Sequence, residues 1–184
     1  LFSCLQNLVQ AMNAHDDDWV RKNERERTRA VEHVEVCTEL YEDQLRRGKH
    51  FLHEHPWTAS SWNLKCIRKL MEHSQVTLTR ADQCMYGLTT WSDEGLEVPA
   101  QKATGFLTSS WAISDELSTQ RNHLHDHQRL ISGDRTRAAQ VYPQELCNAI
   151  VRGLLKQLSY DESNLQASRK MITNQLHSLV RSFA

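Results

Sequence analysis

The chain has 184 residues, 39% hydrophobic and 24% charged, with a formal net charge of −1 and a mean hydropathy of −0.63. That is enough for one domain with a real core and short for two. The charge balance gives no general case for a polyanion partner, and no apolar run approaches the roughly 20 residues of a membrane span.

Five cysteines, Cys4, Cys37, Cys66, Cys84 and Cys147, are scattered without a CxxC pair. This argues against a disulfide framework and a cysteine-based zinc site, and points to a reducing, intracellular compartment, cytoplasm or nucleus. The opening LFSCLQNLVQ has neither the basic start nor the cleavage site of a signal peptide. It also lacks an initiating Met, so the chain is expected to be a segment of something longer.

Leu1, Leu5, Leu8 and Val9 recur at helical spacing and suggest a short first helix. Asp16, Asp17 and Asp18 suit the N-terminus of the next, where carboxylates cap free N–H groups and meet the positive end of the dipole. No Gly or Pro interrupts before Arg47, and Val31, Val34, Thr38, Tyr41 and Leu45 share one stripe. Glu42–Arg46 and Asp43–Arg47 are favourable i,i+4 pairs, and Gly48 is a natural C-cap. One long amphipathic helix is predicted. Its basic cluster, Arg21, Lys22, Arg25, Arg27 and Arg29, is interleaved with Glu24 and Glu26 and reads as a solvated face, with nucleic-acid contact as the alternative.

Residues 50–54 have strand character and meet His55-Pro56, so the strand is predicted to stop at about Glu54. An acid at a strand end, followed by a helix, is where open α/β sheets put their chemistry; the bland alternative is a loop acid beside a structural proline. Ser60 and Ser61 offer N-caps for a helix through Leu64, Ile67, Leu70 and Met71 to about His73. Residues 76–80 and 103–108 read as strands, and Ser92 to Pro99 as a loop with a turn at Asp93-Glu94-Gly95. Ser110 could cap a helix carrying Trp111, Ile113 and Leu117. Pro143 fits the first turn of a helix through Leu158, and a last amphipathic helix is expected from about Glu162 to Phe183.

The fold class that follows is α/β: a partial Rossmann-like sheet of about three strands flanked by helices, with a helical C-terminus. Residues 1–142 form the α/β part and 143–184 the C-terminal helices of a single truncated domain. The three strands should share one sheet, with 50–54 and 76–80 parallel and the intervening helix as crossover.

Two histidine groups stand out, His53-x-His55 and the run His123, His125 and His127. Alternate histidines on a strand share a face and could hold zinc together. Nothing else fixes a third or fourth ligand, so His123, His125 and His127 are weak metal candidates in a histidine-rich surface loop, and no tight zinc site is expected. Cys37, Cys66 and Cys147 fall on apolar stripes as core thiols. No phosphate-binding loop, GxGxxG or GKS/T is present.

Four stretches together, EHPWTASSW (54–62), ADQCMYG (81–87), KATGFLTSS (102–110) and AAQVYPQELCNAI (138–150), resemble a domain of retroelement-type polyproteins from dinoflagellate-like protists. There it lies among integrase and reverse-transcriptase segments. That domain is in turn similar to a cytosine-5 DNA methyltransferase. Its members carry a Ser-Pro-Pro-Cys-Thr segment directly before a stretch like Leu1 to Gln6, and that Pro-Cys corresponds to the nucleophile motif. The resemblance spans nearly the whole chain. It implies a base flipped out of the duplex, a thiolate attacking its carbon 6, and methyl transfer from S-adenosylmethionine to carbon 5.

By position, Glu54 would hydrogen-bond the flipped base at a ring nitrogen. His55, Pro56, Lys102 and Thr104 fall on the matching substrate-side motifs. The chain departs from the pattern in three ways: His55 stands for the usual Asn, Cys4 is not in a Pro-Cys turn, and the cofactor half is missing. What the resemblance implies is thus a methyltransferase-like DNA-modifying or DNA-binding fragment, inactive alone. It would carry no cofactor itself, with S-adenosylmethionine belonging to the full-length parent and DNA as the parent's partner. A non-catalytic scaffold or interaction module and a histidine-dependent metal-binding domain are the alternatives. In the enzyme reading Glu54 should face the same pocket as Leu1–Cys4, with Trp57 and Trp62 packing or walling the cleft.

Overall fold

The computed structural model describes residues 16–119, 127–130 and 133–182. The predicted helix of residues 1–9 lies outside them.

Helix α1 spans Asp17–Arg46, and the Asp16 carboxylate accepts from the N–H groups of Asp18 and Trp19 at its start. Gly48 follows its end with φ +63°, the left-handed conformation that suits glycine. Strand β1 (Leu52–Pro56) leads through a 3₁₀ turn (Ser60–Asn63) to helix α2 (Lys65–Met71). Then come β2 (Thr77–Asp82), a 3₁₀ turn (Gln83–Tyr86), β3 (Thr89–Trp91), β4 (Glu97–Gln101) and β5 (Ala103–Thr108). Helix α3 (Trp111–Glu116), β6 (Gln128–Arg129), α4 (Gly133–Ala138) and α5 (Gln144–Ser182) complete the chain.

The class is α/β, with two small three-stranded sheets and a long C-terminal helix. In the first sheet the order is β1-β5-β2, so the three anticipated strands do lie together. β1 and β2 run the same way, but neither pairs with the other. β5 sits between them and is antiparallel to both. The expected parallel sheet with crossovers is therefore replaced by two antiparallel ladders.

β1 does not stop at Glu54. It continues through His55 and Pro56, which stand opposite Gly105 and Thr104. An edge strand tolerates this proline because it has no second neighbour to receive an N–H. Pairing resumes beyond it, where the Trp57 N–H donates to the Ala103 carbonyl at 3.1 Å.

Of the region read as a loop at 92–99, residues 92–96 form the turn expected at Asp93-Glu94-Gly95, while residues 97–99 belong to a strand. β3 pairs with β4, and the turn has Gly95 at φ +77°. The Ser92 hydroxyl accepts from the N–H groups of Glu94 and Leu96. β6 adds to β4 in parallel, completing the second sheet.

Opposed residues of an antiparallel ladder share a face, and neighbours along a strand alternate. One face of the first sheet carries Ala81 and Phe106, which pack with Ile113 and Leu117 and with Leu146 and Ala149 of α5. The other carries Leu107, which packs with Val34, Trp62, Ile67 and Leu70. Helices thus cover both faces. Cys37, Cys66 and Cys147 are half-buried at the margins of this packing rather than inside it.

Two details of capping depart from expectation. Neither Ser60 nor Ser61 caps a helix: Ala59 and Leu64 occupy the N-cap positions of the 3₁₀ turn and of α2, without side-chain bonds. The Ser61 hydroxyl instead meets His55 Nδ1 at 2.9 Å. Ser110, by contrast, caps α3 as predicted, accepting from the Ile113 N–H. The two expected C-terminal helices are one uninterrupted helix, α5.

α5 is tied to the sheet by buried Gln157. Its Oε1 accepts from the Ser110 hydroxyl at 2.9 Å and the Ala112 N–H at 3.4 Å. Its Nε2 donates to Asp161, whose other oxygen lies 2.8 Å from His50 Nε2. Gln157→Leu should leave the Ala112 N–H and the Ser110 O–H without this acceptor, at a cost of about 1–3 kcal/mol. Urea unfolding checks this, as a lower midpoint at unchanged slope.

Candidate functional site

The residues singled out by the sequence divide between the two faces of the first sheet. Glu54 stands opposite Phe106, and Pro56 opposite Thr104, so all four lie on the α5 side. Lys102 immediately precedes β5.

Three side chains meet there. The Tyr142 phenol lies beside the Glu54 carboxylate, and burial followed by the interaction with that carboxylate raises its pKa well above the ordinary phenol value. Tyr142 as a residue is 38% exposed. The Lys102 ammonium donates to the Ala139 carbonyl at 2.7 Å and lies 5.2 Å from the centre of the Tyr142 ring. Burial lowers the Lys102 pKa, and the nearby Glu54 charge partly restores it. Glu54 therefore faces a cation and a hydroxyl, with no arginine ion pair among the described residues.

Beneath them Thr104 is fully buried and accepts from Gln83 Nε2 at 2.8 Å. Gln83 Oε1 has no hydrogen-bond partner among the described residues. The amide is thus fixed at one end and open to a donor at the other. Gln83 and Tyr142 were missed in the sequence, although both lie inside the quoted stretches ADQCMYG and AAQVYPQELCNAI.

Next to Lys102 is a recess of about 50 Å³ lined by Arg80, Asp82, Cys84, Gln101, Ala103 and His127. His127 Nε2 lies 3.1 Å from Cys84 Sγ. His123 and His125 lie outside the described residues. Among the described residues no group of three or more His, Cys, Asp or Glu could hold a metal ion.

His55 is not on the Glu54 side. It projects to the opposite face, where its ring stacks on His53 at 4.8 Å. Trp62 is on that face as well, edge-on to both imidazoles, with its Nε1 donating to the Pro56 carbonyl at 2.9 Å. Trp57 is there too, beside Arg80 at 5.8 Å. Of the expectation that the two tryptophans pack or wall the cleft, it is packing that the geometry shows, on the face opposite Glu54. They cover Gly105, where a Cβ would lie 2.7 Å from Trp62 Cζ2 and 3.4 Å from Trp57 Cε3. Leu1–Cys4 lie outside the described residues, so their position relative to Glu54 is not part of this geometry.

The basic cluster on α1 is exposed as expected. Arg21, Arg25 and Arg29 line an open surface together with Glu24 and Glu32, so its charge is mixed. Among the described residues no helix is long and apolar enough to cross a membrane. No family model, curated protein or solved structure matches the chain.

Proposed function

We propose that this chain is a methyltransferase-like DNA-modifying or DNA-binding fragment of a mobile-element polyprotein, with Glu54 as its base-binding carboxylate. The observation that carries the reading is the convergence of Glu54, Lys102 and Thr104, the residues the resemblance assigns, on one side of one sheet. A carboxylate is a strong acceptor for a protonated ring nitrogen or an amino group, and a buried amide oxygen such as that of Gln83 adds a second acceptor. Tyr142 and Lys102 set the electrostatic surroundings of Glu54, with the lysine ammonium itself bonded to the Ala139 carbonyl.

His55 takes no direct part in this arrangement. Its bond to Ser61 and its stack on His53 secure the turn behind Glu54. S-adenosylmethionine would supply the methyl group, but this chain has no glycine-rich loop to hold it, so the cofactor would bind the parent's other half. The chain alone is then inactive and contributes base recognition.

The scaffold reading is favoured by one observation of its own. Lys102 and Tyr142 also fasten the segment between α4 and α5 to the sheet, so Glu54 could serve cohesion alone. Fluorescence anisotropy with cytosine-containing single-stranded DNA separates the two readings. Under the proposed function Glu54→Gln weakens binding about tenfold, the worth of one charge-assisted hydrogen bond. Unchanged or undetectable binding, with a lowered melting temperature in the variant, would leave the scaffold.

A further inference from the structure

We propose that the outer part of α5 pairs with the same stretch of a second copy as an antiparallel two-stranded coiled coil. From Leu158 to His177 every residue except Asp161 is exposed. Even so, this stretch and the turn before it carry large apolar side chains. Leu155, Leu158, Leu165, Ile172 and Leu176 are between 51 and 62% exposed. A run of this kind on one helix marks an interaction surface rather than ordinary surface scatter.

Its periodicity says what kind of surface it is. Positions 155, 158, 162, 165, 169, 172 and 176 are separated alternately by three and four residues, the 3.5-residue repeat of a coiled-coil seam. The stripe runs for about 33 Å at 1.5 Å per residue. Only Glu162 and Arg169, one heptad apart, interrupt it.

Those two residues identify the partner and its direction. In a parallel, in-register pair Glu162 would face its own copy across the seam, and so would Arg169. Both contacts would be repulsive. Running the second helix the opposite way brings Glu162 of each copy near Arg169 of the other. A two-fold axis forms both pairs at once, as an isologous interface requires. The flanking positions Ser159, Gln166, Ser168, Thr173 and Gln175 are uncharged. Asp161 is held by His50 and Gln157. Orientation therefore rests on Glu162 and Arg169. The stripe is thus complementary to itself in charge and spacing.

Light scattering on the 184-residue chain at about 100 µM should give twice its 21.4 kDa mass. Ile172→Asp should be monomeric, with the circular dichroism of the body retained because the position is exposed. Glu162→Arg or Arg169→Glu alone should each raise the dissociation constant at least about tenfold, and the double exchange E162R/R169E should restore it to within about threefold. A monomer at this concentration, a dimer that survives Ile172→Asp, or a double exchange no tighter than the single ones would overturn the proposal.

Discussion

Replacing Gly153 by valine should cost this protein about 3 kcal/mol or more and lower its melting temperature by several degrees. Gly153 lies inside α5, where helix propensity favours almost any other residue; alanine alone would gain about 1 kcal/mol. Packing reverses that preference. A Cβ at this position would lie 2.6 Å from Ile113 Cα, 2.9 Å from the Ala112 carbonyl oxygen and 3.0 Å from the Ile113 nitrogen. These are backbone atoms of α3, so no rotamer change relieves the contact. Nor can α3 slide away freely, because its first turn is bound to Ser110 and Gln157. Gly153→Ala should therefore destabilise by about 1–2 kcal/mol net, and valine by more. Thermal and urea unfolding of both variants checks this. An alanine variant more stable than the parent would show that propensity outweighs the close approach.

Acid should weaken the fold chiefly through His53, and most of the effect should be lost in His53→Gln. His53 is 7% exposed, with its Nδ1 3.2 Å from the Tyr41 hydroxyl and its Nε2 unpartnered among the described residues. Burial, and then the neighbouring His55, push its pKa down to about 4. The unfolded chain takes up this proton near the ordinary value of about 6.5. Between these two values the unfolded state binds more protons, so stability falls as pH falls through that window. It is complete above about 6.5 and levels off below about 4. The loss across the window is about 3 kcal/mol. Burial lowers the His55 pKa as well, although Glu54 opposes the shift, so a shallower slope should remain in His53→Gln. Urea unfolding of both proteins from pH 7 to pH 4 isolates the difference. A stability gap that does not change with pH would contradict it.

What the sequence revealed, and what it hid, follows from the range of each interaction. α1 was legible from Asp16 to Gly48 because its signals are local: a capping carboxylate, a stripe, i,i+4 pairs and a C-terminal glycine. The three strands of the first sheet were legible from their β-branched and apolar runs. Their order was not, because strand-then-helix alternation suits a parallel sheet equally well and only tertiary pairing puts β5 between β1 and β2. The β3–β4 hairpin escaped because three-residue Thr89–Trp91 is too short for a period, and Pro99 argued against a strand. α5 was divided at Tyr160–Asp161 because the polar residues there resemble a helix junction; half-buried Asp161 is explained by its bonds to His50 and Gln157.

In the candidate site, Glu54, Lys102 and Thr104 were picked out by the resemblance. Gln83 and Tyr142 needed the fold, since neither residue type in isolation signals a pocket. His55, which the resemblance places on the substrate-side motif, lies on the opposite face of the strand from Glu54. The alternation that separates His53 from Glu54 separates His55 from it as well.

Whether Glu54 binds a base or only fastens Tyr142 and Lys102 decides between the proposed function and the scaffold. The most direct measurement is methyl transfer from S-adenosylmethionine to DNA by this chain joined to the cofactor half and Pro-Cys segment that the proposed function requires, comparing Glu54 with Glu54→Gln. A base-binding Glu54 gives a fall of about 10²-fold in transfer, with melting temperatures of the two proteins within about 2 °C. Equal transfer by the two proteins would contradict it.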